Sequence, residues 1–159
     1  MTNNEDLHHI RYIFTLSNEK IAAIFQQAQC PKTDEEIDNF FRKNGETAFA
    51  RIADNNLASF LDGLIIEYRG AKEGTVAQLD QSINNNIVFN KVKIALELKA
   101  EDIIALLDAG ELTLSKHELS AFFRKAEHKH FRTCNDETLL KFFNGLHLQN
   151  RQAILVIKE

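Results

Sequence analysis

Shifting the chain against itself by 82 positions lays residues 3–69 on residues 85–151 with no insertion or deletion, and 18 of the 67 pairs are identical. A gapless match of that kind makes the chain two copies of one backbone design, so any element read in one half has to work in the other. The identities include Asn3-Asn4 with Asn85-Asn86, Leu16 with Leu98, Glu19 with Glu101, Glu36 with Glu118 and Phe49 with Phe131. They continue through the block Phe40-Phe41-Arg42-Lys43 with Phe122-Phe123-Arg124-Lys125, Asp54 with Asp136, Gly63-Leu64 with Gly145-Leu146, and Arg69 with Arg151. The organisation that follows is a first helical repeat over 1–70, a connector over 71–84 containing Gly74, a second repeat over 85–151, and an apolar tail over 152–159 that has no counterpart. A copy this short is near the size at which one core is marginal, which predicts that the two halves pack as one body.

Within a copy the apolar spacing predicts four helices, about eight in all. Leu7, Ile10, Ile13 and Phe14 mark the first, with Phe89, Val92, Ala95 and Leu96 in the second copy. Ile21, Ile24 and Phe25 mark the second helix against Ile103, Leu106 and Leu107. The third carries Ile37, Phe40 and Phe41 against Leu119, Phe122 and Phe123, and the fourth Leu57, Phe60, Leu61 and Leu64 against Leu139, Phe142, Phe143 and Leu146. One proline and six glycines in 159 residues support an all-α fold, a tandem duplication of a four-helix unit. The paired phenylalanines are first of all core, since each ring can bury roughly 150 to 250 Å².

No apolar run approaches the roughly 20 residues of a membrane span, and the first residues lack the apolar centre of a signal peptide, so a cytoplasmic protein without membrane contact is expected. Cys30 and Cys134 fall at non-equivalent places in the repeat and are read as free thiols.

Polar residues kept in both copies are where a duplicated chemistry would show, and most have a structural use. Thr33 with Glu36 and Ser115 with Glu118 match the capping box, worth about 1 kcal/mol each. Asp54 and Asp136 are expected to cap the fourth helix or complement its positive N-terminal end, Glu19 and Glu101 to do so for the second, and Asn4 and Asn86 for the first. Arg42-Lys43 and Arg124-Lys125 are expected to close the third helix, where cations suit the negative end of the dipole. Gly63 and Gly145 sit within the fourth helix at a cost of about 1 kcal/mol against alanine. They are expected to admit another backbone, with the fourth helices meeting across a pseudo-twofold axis.

The densest polar chemistry lies in the second copy. His128, His130 and Cys134, with His117 earlier, are weak candidates for a metal: the spacing fits no usual zinc pattern, and the first copy has Glu46, Ala48 and Ile52 at those places. The same stretch is basic, with Arg124, Lys125, Lys129 and Arg132. Residues 1–70 carry net −4, the connector −1 and residues 85–159 +1. Four neutralised phosphates would give a salt slope of only about −3.6. A helix-turn-helix over residues 100–125 is weakened by a link from Gly110 to Ser115 longer than the usual turn. The motifs of serine hydrolases, P-loop enzymes and zinc proteases are absent.

The doubled Asn-Asn, the helices IRYIFTLS and VKIALELK, the two FFRK ends and the DGL and NGL motifs resemble the YehS-like family of small bacterial proteins of unknown function, over nearly the whole chain. The resemblance implies a cytoplasmic bacterial protein and carries over no catalytic or binding residue. The resulting expectation is a non-enzymatic binding or regulatory protein, contacting an unknown protein partner through the tandem repeat, with no cofactor. The alternative is a nucleic-acid-binding regulator using the basic second copy. The surface residues expected to matter are Arg42, Arg69, Arg124 and Arg151, with Lys125, Lys129 and Arg132.

Overall fold

The computed structural model describes residues 1–71 and 82–158, the stretch 151–158 by its backbone alone. Among the described residues it is all-helical, with eight helices in two runs of four. The first run is α1 (Asn3–Phe14), α2 (Asn18–Gln27), α3 (Asp34–Phe40) and α4 (Asp54–Tyr68). The second is α5 (Asn85–Ala95), α6 (Ala100–Ala109), α7 (Lys116–Ala121) and α8 (Asp136–Lys158). The chain divides into two compact units, the first centred on residues 1–83 and the second on residues 84–159. Most of the connector expected over 71–84 lies outside the described residues. The backbone of residues 152–158, expected as a separate tail, continues α8.

Each unit closes around its own apolar centre. In the first, α2 packs on α4 and α3, and α1 also meets α4. Leu7, Ile10, Ile21, Ile24, Phe25, Leu57, Phe60, Leu61 and Leu64 are buried there, the residues of the helical stripes. In the second, α6 packs on α8 and α7 around Phe89, Val92, Ile103, Leu107, Phe142 and Phe143.

Helix starts are chemically marked. The Thr2 hydroxyl accepts from the Glu5 N–H and the Glu5 carboxylate accepts from the Thr2 N–H, a reciprocal cap on α1. Ser17 caps α2, and the boxes expected at Thr33–Glu36 and Ser115–Glu118 are both formed. The Glu36 carboxyl is lowered from its ordinary pKa by the Thr33 backbone N–H and then the Thr33 hydroxyl, and Glu118 likewise by Ser115.

The turns repeat as well. Thr15 and Gln29 in the first unit, and Glu97 and Glu111 in the second, have positive φ at 53°, 58°, 52° and 70°. These are equivalent positions under the 82-residue shift, so duplication preserved two left-handed helix ends per unit without glycine at any of them.

The paired glycines make a different contact from the one expected. A Cβ on Gly63 would lie 2.1 Å from the Ile24 carbonyl oxygen of α2, and one on Gly145 would lie 2.1 Å from the Leu106 carbonyl oxygen of α6. The close approach is therefore α4 on α2 and α8 on α6, inside each unit. Each glycine sits where a side chain would strike backbone, which offsets its poor helix propensity.

Candidate functional site

Three of the polar residues shared by the two copies, Asn3, Asn4 and Asp54 with their equivalents Asn85, Asn86 and Asp136, converge on the segment between the third and fourth helices of each unit. Asn4 is 8% exposed and is the second residue of α1, which Thr2 caps. Its Nδ2 donates to the carbonyls of Phe40, at 3.0 Å, and Ala50, at 2.9 Å, while its Oδ1 accepts from the Ile52 N–H at 3.0 Å. Asn86 repeats this on Phe122, Arg132 and Cys134, at 3.0, 2.9 and 2.9 Å. Only a short amide supplies two donors and an acceptor in one plane, and buried backbone groups left without such partners are costly.

The neighbouring asparagine completes the attachment. Asn3 Nδ2 donates to the Ile52 carbonyl and to Asp54 Oδ1, at 3.0 and 2.8 Å. Asn85 does the same with Cys134 and Asp136, at 3.1 and 2.7 Å. The caps expected of Asn4 and Asn86 are thus corrected, whereas Asp54 and Asp136 are first-turn acids of α4 and α8, where they complement the positive helix end, the other of the two uses expected of them. Thr2 caps α1, the Asn84 side chain accepts from the Ile87 N–H at the start of α5, and Asp54 is the first residue of α4, preceded by Ala53 without a side-chain cap. The Asp54 carboxyl is pulled below its ordinary pKa by the Asn3 amide and then by the Ile83 N–H.

So held, the segment 41–53 and its twin 123–135 present their side chains from a fixed backbone. The second phenylalanine of each FFRK block is only half-buried. In compensation the Arg11 guanidinium stands 4.3 Å from the Phe41 ring centre and the Lys93 ammonium 4.2 Å from that of Phe123, a cation–π pair at equivalent positions. His8 packs edge-on against Phe41 at 4.9 Å, and burial, then Arg11, lowers its pKa. Burial likewise lowers the pKa of Lys93.

The expected charges are placed as follows. Arg42 and Lys43 fall beyond the end of α3, and Arg124 and Lys125 beyond that of α7, so neither pair lies in the last turn. Arg42 Nε donates to Asn39 Oδ1 at 2.9 Å, and its guanidinium is 3.8 Å from Glu46. Arg124 is half-buried, 3.4 Å from His128 Nε2, and Lys125, Lys129 and Arg132 are exposed on the same segment. Arg132 also covers the Phe122 ring at 5.2 Å. Arg69 caps the other end of α4, about 22 Å along the helix from Asp54, so Arg42 and Arg69 do not share a site. The Arg151 side chain lies outside the described residues.

The His128 and His130 rings are 5.5 Å apart, whereas Cys134 is 2% exposed and its thiol is pushed up to about 12, by burial first and Asp136 next. Among the described residues no three His, Cys, Asp or Glu side chains are grouped to hold a metal ion. Cys30 and Cys134 are both free thiols.

A pocket of about 510 Å³ opens in the first unit between the start of α1 and the segment 42–52. His8, Arg42, Lys43, Phe49, Arg51 and Ile52 line it, together with Asn3, Asn4 and Asn44. Of these, only Arg42 was expected as a site residue. His8, Phe49 and Arg51 carry no motif, and what unites them is their placement around the Asn4 attachment.

Among the described residues no helix is long and apolar enough to cross a membrane. The chain is 40% identical over 147 residues to Uncharacterized protein YehS of Escherichia coli (strain K12), an alignment covering 92% of this chain and 94% of that protein. No solved structure matches it. The family model described as Protein of unknown function (DUF1456) matches twice, at residues 3–70 and 85–152, the same two copies that the asparagine attachments define. On that double match the chain belongs to this family.

Proposed function

We propose that the protein is a non-enzymatic binding module that engages a protein partner through the segments joining the third and fourth helices of its two units. One observation carries this reading: in both units Asn3, Asn4 and Asp54, or their equivalents Asn85, Asn86 and Asp136, make the same loop attachment, while the loops keep Arg42-Lys43 and Arg124-Lys125 but differ at most of their other displayed positions. Asn44, Glu46, Ala48 and Arg51 of the first unit stand where the second has Ala126, His128, His130 and Thr133. A rigid frame with varied loops is the usual arrangement of binding proteins.

A second reading, nucleic-acid binding, is favoured by Lys125, Lys129 and Arg132 lying exposed on one segment. Phosphate contacts of that kind weaken steeply with salt. Capture from cell extract by the untagged chain, with and without nuclease, separates the two. The first reading expects a defined protein partner that survives nuclease, is lost with Arg42→Ala combined with Arg124→Ala, and is kept with Arg69→Ala. Capture abolished by nuclease, or indifferent to the loop substitutions, overturns it.

A further inference from the structure

We propose that the pocket of the first unit binds a small molecule carrying a phosphate monoester on an apolar ring, a further activity on the segment that also carries the partner contact above.

Charge and size set the class. The pocket, at about 510 Å³, is within the range of small-molecule sites. Three cationic side chains line it, Arg42, Lys43 and Arg51, against a single acidic one, Glu5, whose carboxylate is already bonded to the Thr2 N–H. The excess of two positive charges matches a phosphate monoester, which carries about −1.5 to −2 near neutral pH. This cluster stands out because residues 1–70 as a whole carry net −4. Lys43 and Arg51 engage no acidic side chain among the described residues, and Arg42 keeps only a 3.8 Å approach to Glu46. Guanidinium groups pair with phosphate oxygens through two parallel N–H bonds, which favours phosphate at a site with two arginines.

The apolar part follows from the remaining lining. Phe49 is half-buried and Ile52 buried, so a ring entering there meets hydrocarbon on a backbone that Asn4 holds still. The second unit has Phe131 in place of Phe49 but Asn90, Ala126 and Thr133 in place of His8, Asn44 and Arg51. Two of the three cations have partners there, Arg124 and Lys125, and the third does not. Arg51→Thr therefore installs a residue that the same loop position already carries in the other copy.

The test is an amide chemical-shift titration of the full chain with phenyl phosphate at low ionic strength, with inorganic phosphate and phenol as the two halves of the probe. Saturable shifts are expected at Asn44, Phe49 and Arg51, with phenyl phosphate binding about tenfold more tightly than either half alone. Arg51→Thr should weaken it by about tenfold and Lys43→Gln by a smaller factor. Absence of saturable shifts at these residues overturns the proposal, as does phenol binding equal to phenyl phosphate, or affinity unchanged in Arg51→Thr. Inorganic phosphate binding as tightly as phenyl phosphate overturns the ring requirement. Partner capture from extract uses no phenyl phosphate, so failure here leaves the loop-mediated reading standing, and the reverse also holds.

Discussion

In the first unit the ring that meets Phe40 and Phe60 comes from α2, as Phe25, at 6.3 and 5.1 Å between centres. In the second the ring that meets the equivalent Phe122 and Phe142 comes from α5, as Phe89, at 6.0 and 4.5 Å. Where one unit has Leu7 and Phe25, the other has Phe89 and Leu107. The large side chain has changed helices while the sum of the two volumes has stayed the same. Cores tolerate such exchanges when total volume and patterning are kept, because the packed space, not the identity of its donor, is what the fold requires. By contrast the asparagine attachment has not moved at all, Asn4 and Asn86 holding equivalent carbonyls and N–H groups at matching distances. The units thus differ where only volume matters and agree where hydrogen-bond geometry matters.

The largest expected effect strikes at what the units share. Asn4→Ala leaves two carbonyls and an N–H without their amide partner, and should cost about 4 kcal/mol of unfolding free energy. Asn86→Ala should cost a similar amount, both read by denaturant titration. A clear inequality would show that one unit does not depend on its loop as the other does. Next is Gly63→Ala, expected to destabilise by about 3 kcal/mol because the new Cβ meets the Ile24 backbone, which cannot rotate away. Gly145→Ala against Leu106 is the matching measurement, and unchanged melting in either would remove the proposed close approach. The smallest effect probes the exchanged ring. Leu7→Phe and Phe25→Leu should each cost about 2 kcal/mol, by overpacking and by a cavity respectively. The double variant should recover most of that loss, and a strictly additive cycle would show that the two residues do not share one space.

Much of the fold was legible because duplication supplied two readings of each helix. Every apolar stripe placed from the spacing meets a helix, although the third helices end short and leave Phe41, Phe122 and Phe123 beyond them, and the capping boxes at Thr33 and Ser115 formed as their sequence implied. The role of Asn4 was not legible as a cap, because its partners lie 36 to 48 residues away and a cap argument looks only at near neighbours. A signal was present: two adjacent asparagines, poor helix formers, persist while Glu5 and Asp6 become Ile87 and Val88. The glycine contact was foreseen in kind but not in partner, since helical spacing says that a backbone approaches and not which one. The pocket escaped because Phe49, Arg51 and His8 meet only after the loop folds back onto α1.

A segment fastened near both ends by amides that read backbone groups and one aspartate at its far end tolerates change at positions between them. After the duplication, residues between the fastening points could drift in each copy without endangering the helices beneath. One half arrived at an arginine and the other at a pair of histidines on the same framework. A chain built this way can acquire a second specificity before losing the first, which gives a reason for keeping both halves.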